Sequence, residues 1–167
     1  MELGHGQTQL FFDLAAPAHW FTKRDPLPST VPWGFGLGLA HRIGPARVGG
    51  RADLLFDPVD QEVAFLAVDF LAIERVYRFE TALRPYMRLA LGFGLDLVGD
   101  RLELGDDRYF NPGNGAAAGL SLAHAWGLEY FLTEGFFVRS ELGVRAYGGA
   151  GRAGFLAEGR AGVGFLL

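Results

Sequence analysis

From Leu83 to Val98 the chain reads LRPYMRLALGFGLDLV. Leu83, Pro85, Met87, Leu89, Leu91, Phe93, Leu95 and Leu97 fall in one register and Arg84, Tyr86, Arg88, Gly92, Gly94 and Asp96 in the other. A period of two sustained over that distance is a β-strand with two unlike faces, because a helix would scatter the same residues around its axis. The pattern recurs along the chain. Thr8 to His19 sets Leu10, Phe12, Leu14, Ala16 and Ala18 against Gln9, Phe11, Asp13 and His19, although Pro17 is a poor strand residue. Val31 to Ile43 sets Val31, Trp33, Phe35, Leu37 and Leu39 against Gly34, Gly36, Gly38, Ala40 and Arg42. Arg47 to Phe56 sets Val48, Ala52, Leu54 and Phe56 against Arg51 and Asp53. Glu62 to Arg78 sets Ala64, Leu66, Val68, Phe70 and Ala72 against Asp69, and its alternation fails near Glu74, through a bulge or an exit from the apolar zone. Ala116 to Leu132, Phe136 to Tyr147 and Gly151 to Leu167 complete eight expected strands.

The final stretch, GRAGFLAEGRAGVGFLL, puts Ala153, Phe155, Ala157, Ala161, Val163, Phe165 and Leu167 on one face and Glu158 and Arg160 on the other. Its terminal apolar side chains need an apolar surrounding. The 167 residues suit one domain, spanning 1–167, and 25 glycines with 14% aromatic residues favour β structure over a helix bundle. No uncharged apolar run reaches the roughly 18 residues of a spanning helix, so any membrane crossing must be made by strands. The net charge of −4 argues against a nucleic-acid partner. The absence of cysteine is compatible with an exported chain. The opening MELGHGQTQ lacks the basic, apolar and small-residue succession of a secretory leader, and we read it as a chain trimmed of one.

Arg160, Gly162, Phe165 and Leu167 resemble the C-terminal signal of bacterial outer-membrane β-barrels, with Leu167 where that family usually carries Phe or Trp. The Arg-Pro-Tyr run at 84–86 followed by alternating glycine also resembles the small eight-stranded barrels of the OmpA and OmpX type. The resemblance implies an all-β, antiparallel, up-and-down transmembrane barrel in the bacterial outer membrane. It implies contact with outer-membrane lipid and lipopolysaccharide, and a barrel-assembly machinery that reads the closing strand. The expected connections agree with this topology. Longer polar stretches follow strands one, three and five (Phe21 to Pro32, Asp57 to Gln61, Gly99 to Gly115), whereas Gly44-Pro45, Phe79 to Ala82 and Thr133 to Gly135 are short. The connection at 148–150 is short for the loop side.

Cost decides which face meets which medium. Eight strands enclose only enough room for side chains or one small ligand, too little for all the Leu, Phe and Trp of the apolar faces. A soluble lipocalin-like barrel with an apolar pocket is the alternative. With the apolar faces outward, Trp33, Phe35, Trp126, Tyr130 and Phe136 become membrane-facing or girdle residues, with Trp20 and Phe165 also near strand ends. The charges then fill the lumen. A Thr133 to Gly135 loop places Glu129 opposite Arg139, and a two-residue Gly148-Gly149 turn would place Arg139 opposite Glu158 as well. Arg51, Arg84, Arg88, Arg145 and Arg160 against Asp53, Asp69, Asp96 and Glu141 bring the interior near neutrality, which predicts a plugged lumen rather than a pore.

The expected role is structural or interactive, through surface loops or an envelope protein partner, with no cofactor and no metal. Asp100, Glu103, Asp106 and Asp107 do not have the spacing of a twelve-residue calcium loop, and the GxGxG at 34–38 opens no helix and is no nucleotide motif. Lipid A acyl hydrolysis or transfer is the enzymatic alternative, since His124 and Ser140 point outward. The expected register separates them by about 13 Å at roughly 3.3 Å per residue, Ser121 has the opposite parity, and no HisxSer motif is present.

Overall fold

The computed structural model describes residues 7–22, 33–56, 63–77, 82–97, 116–149 and 152–167, and forms a closed barrel in which every strand is antiparallel to its sequence neighbours. The strands are β1 (Thr8–Thr22), β2 (Trp33–Ile43), β3 (Ala46–Phe56), β4 (Val63–Val76), β5 (Leu83–Leu97), β6 (Ala116–Phe131), β7 (Phe136–Gly149) and β8 (Arg152–Leu166). Their 11 to 16 residues meet or exceed the roughly 9–11 that a tilted strand needs to cross a bilayer. Closure is staggered. A path of register partners beginning at Gln9 passes Ala40, Gly49, Ala72, Ala90, Ala123, Arg145 and Leu156 and returns to β1 at Trp20. That displacement is the shear that tilts the strands and sets the barrel's width.

The hairpins obey local chemistry. Gly44, with φ of 60°, precedes Pro45 between paired Ile43 and Ala46, which suits the glycine-first two-residue turn compatible with strand twist. At the β6–β7 hairpin the Thr133 hydroxyl accepts the Phe136 N–H at 3.1 Å, and the Thr133 N–H reaches the Phe136 carbonyl at 3.2 Å. Among the described residues β1 pairs with β2 as far as Ala15↔Gly34, and its pairing with β8 slips between Pro17 and His19, a local irregularity that suits a proline.

The structure settles the cause of one irregularity and corrects one expected register. The break near Glu74 is a bulge. Asp69 pairs with Arg51 and Gly92, but Leu71 pairs with Leu91 and Ala72 with Gly49, so Phe70 is an extra residue against both neighbours. Phe70 and Leu71 are both exposed, the phase shifts, and Ala72 turns inward instead of lying with Phe70 on the outer face; Glu74 follows it into the interior. The second concerns β7 and β8. These strands run on to Gly149 and Arg152, so Gly148 and Gly149 are strand residues and Arg139 pairs with Gly162, not with Glu158.

Burial follows the pleat. Leu14, Leu37, Phe93, Leu120, Trp126 and Leu142 are exposed on the outer face, whereas charged side chains are buried within. This is the reverse of a soluble barrel with an apolar pocket. Inward glycines let rings lie flat against the wall, as Tyr86 does over Gly127 and Phe137 over Gly164, where a β-carbon would collide with the ring.

Candidate functional site

The interior is layered. Near the short-turn end Phe11, Ala40 and Phe137 pack with Phe131 and Leu166, and near the loop end Ala15, Leu55, Phe65, Ala67, Tyr147 and Leu156 form a second apolar layer, with the Phe65 and Tyr147 rings 5.3 Å apart. Between and beside them the described residues bury six arginines (Arg47, Arg51, Arg88, Arg139, Arg145, Arg160) and seven carboxylates (Asp13, Asp53, Asp69, Glu74, Glu129, Glu141, Glu158). Strand alternation, with its phase shifted in β4 by the Phe70 bulge, puts these groups into one column, because each sits on an inward position of its strand.

At the short-turn level Arg47 is the hub. Its guanidinium meets Glu129 at 2.7 Å and Glu74 at 2.9 Å and also donates to Gln9. In the middle, Arg139 donates to Tyr86 Oη at 2.6 Å and to Glu141 at 3.0 Å, lies 3.5 Å from Asp13, and is held between the Phe11 and Tyr86 rings at 4.0 and 4.9 Å. Glu141 also accepts from Arg51 at 2.9 Å and from the Tyr86 hydroxyl at 3.0 Å. Toward the loop end Arg145 spans Asp69 at 2.6 Å and Asp53 at 3.2 Å, and Arg88 meets Asp69 at 2.7 Å. Arg160 forks onto both oxygens of Asp53 at 2.8 and 3.1 Å and reaches Glu158 at 2.5 Å. Each arginine is compensated by at least two acids.

The expected site residues are distributed as follows. Glu129 lies opposite Arg139 on the backbone, yet its carboxylate binds Arg47, and Arg139 finds its acids in Glu141, Glu74 and Asp13. The bridge from Arg139 to Glu158 does not form; Glu158 contacts Arg160, Arg51 and Arg145 instead. Arg84 stands at the short-turn mouth, half-buried over the Phe131 ring at 3.9 Å, and the side chain of Asp96 lies outside the described residues. Arg47, Glu74 and Tyr86 join the network without having been singled out. Arg47 shares the parity of Arg51 and Asp53, so the same alternation could have found it, whereas Glu74 is hidden by the Phe70 bulge.

Outside, Trp33 stacks on Phe56 at 5.1 Å, Phe35 lies between Phe12 and Phe56, and Phe136 lies tilted against Phe165 at 5.1 Å. Trp126, Tyr130, Phe165 and Leu167 are exposed, and Gly162 lies against Asp13 in the wall. The loop acids Asp100, Glu103, Asp106 and Asp107 and the side chain of Trp20 lie outside the described residues, as do positions 31 and 32. Ser140 pairs with Leu128 and His124 with Val144. Four residues therefore separate the two along the sheet, and no nucleophile and base meet there.

No family model matches the chain, and no curated protein matches it. Solved structures do. Neisserial surface protein A superposes with a TM-score of 0.74 at 12% identity, over 95% of this chain and 96% of that one. The fold is that of the small eight-stranded transmembrane β-barrels. Ail, the attachment invasion locus protein of Yersinia pestis, shares the barrel with a TM-score of 0.62 at 15% identity, over 98% and 100% of the two chains. The N-terminal barrel domain of Pseudomonas aeruginosa OprF does so with 0.57 at 16%, again over 98% and 100%. At such identities the likeness is one of architecture alone.

Proposed function

We propose that the chain is an integral outer-membrane barrel whose lumen is closed to ions and whose role is structural or interactive, exercised at the membrane surface and the loop end. The observation that carries this reading is the inversion of polarity: apolar side chains exposed around the wall, and arginines and carboxylates matched inside it. The short-turn mouth holds a pocket of about 30 Å³ lined in part by Gln9, Arg47, Arg84 and Glu129, room for a water molecule rather than a hydrated ion path. Beyond it stand the ion pairs and then the apolar layer of Leu55, Phe65, Tyr147 and Leu156. Planar-bilayer recording tests the closure. Reconstituted protein is expected to leave the bilayer silent while migrating as a heat-modifiable band, and steady unitary currents from that folded form would overturn the plug.

The surface role follows from charge. The connections 23–32, 57–62 and 98–115 hold Lys23, Arg24, Arg101 and Arg108 against Asp25, Asp57, Asp60, Glu62, Asp100, Glu103, Asp106 and Asp107, an acidic balance equal to the whole chain's −4. An acidic loop end favours cationic partners, or lipopolysaccharide bridged by divalent cations, over direct capture of a polyanion. Ail has been crystallised with the heparin analogue sucrose octasulfate, and that ligand chemistry does not carry over to loops of this sign. In this reading Arg160, Gly162, Phe165 and Leu167 of the closing strand serve the assembly machinery before the barrel is sealed. Arg160 then takes its place with Asp53 and Glu158.

A further inference from the structure

The outer face of the strands is almost free of charge. Among the described side chains on it, Arg75 is the one that carries a full charge, and it is exposed. Its guanidinium lies over the Tyr77 ring at 5.9 Å and forms no ion pair among the described residues. Arg75 is the penultimate residue of β4, opposite Ala46 and Met87, beside the bond from the Val76 N–H to the Pro45 carbonyl. It therefore sits at the short-turn rim, where the apolar band ends. Exposed Ile73 precedes it on the same face of β4, and exposed Ile43 stands in line beyond Ala46. Two strands away, in line with Val48 and Ile73, exposed His41 meets the Thr8 hydroxyl at 3.0 Å.

We infer that Arg75, braced by Tyr77, is a headgroup site for an anionic glycerophospholipid in the leaflet on the short-turn side, an inference that rests on the membrane reading above. An arginine on a lipid-facing wall is costly at mid-bilayer and nearly free at the interface, and its aliphatic stem can cover apolar surface while the guanidinium reaches outward. Among the described residues no anion meets this group. A phosphodiester offers two oxygens to the planar fork, whereas a free carboxylate partner is absent from the neighbouring described residues. Ile43 and Ile73 offer the acyl chains an apolar contact beside the fork. In a zwitterionic lipid the headgroup's own amine competes for the phosphate, so a headgroup with net negative charge binds better.

Native mass spectrometry of the folded barrel, released from nanodiscs holding equal phosphatidylglycerol and phosphatidylcholine, tests this directly. Wild type is expected to retain phosphatidylglycerol preferentially, by about fivefold for one interfacial cation. Arg75→Gln should abolish the preference, Arg75→Lys should keep part of it, and soluble glycerophosphate should not displace the lipid. Equal retention of the two lipids by wild type, or a preference undiminished in Arg75→Gln, would overturn the assignment while leaving the barrel intact. Failure of the wild type to enter the nanodisc would defeat the membrane reading and this site with it.

Discussion

At the scale of single residues, Arg139 concentrates the physics of the lumen. It lies between two aromatic rings, bonds Tyr86 and Glu141, and stands within 3.6 Å of Asp13 and Glu74. A buried ion network need not stabilise a fold relative to an apolar core, but removing one partner leaves charges buried without compensation. Arg139→Ala is therefore expected to lower the unfolding free energy in detergent by about 3 to 5 kcal/mol. Arg75→Ala, on the exposed wall, should change it by about 0.5 kcal/mol or less. Urea titration followed by tryptophan fluorescence distinguishes the two, and equal effects would mean that the interior charges are hydrated and replaceable. The sequence already marks Arg139 as inward by parity. It does not say which acids meet it, because long side chains cross the lumen to strands far away in the chain: Arg139 to Asp13, Arg47 to Glu129.

At the scale of elements, eight strands and their two faces are legible in period-two alternation, as from Leu83 to Leu97 or Trp33 to Ile43, since the pleat enforces it. Register is legible only where a turn fixes it. The short β6–β7 hairpin sets Glu129 opposite Arg139, whereas placing the β7–β8 turn at Gly148-Gly149 misses the register by four residues. A slip by an even number keeps every side chain on its own face, so alternation cannot detect it. The bulge at Phe70 is hidden for a related reason, since one extra residue reverses all later parity in β4 and disguises Glu74 as an outer-face charge. This makes a prediction about the element itself. Deleting Phe70 alone should leave a regular strand with Leu71 outward and Ala72 and Glu74 inward, and should fold, whereas deleting Phe70 and Leu71 together should turn Ala72 and Glu74 toward lipid and strand Arg47, abolishing the heat-modifiable folded band. A double-deletion variant that folds with normal migration would show that the phase of β4 is not what directs Glu74 inward.

At the scale of the whole molecule, the barrel is an inside-out domain: its wall is apolar on the outside, and among the described residues its core holds six arginines against seven acids, between and beside two apolar layers. Such a body is stable only in hydrocarbon, because an exposed apolar surface of this extent in water would drive association. Trp126, exposed on the outer face of β6 with the His124 ring 5.9 Å away, reports this most directly. In a variant that keeps Trp126 alone (Trp20→Phe, Trp33→Phe), refolded into vesicles, its emission should be blue-shifted and strongly quenched by lipids brominated on their acyl chains. Emission at the wavelength of water-exposed indole, unquenched by those lipids but quenched by aqueous iodide, would contradict the outward orientation of the apolar face and the reading built on it.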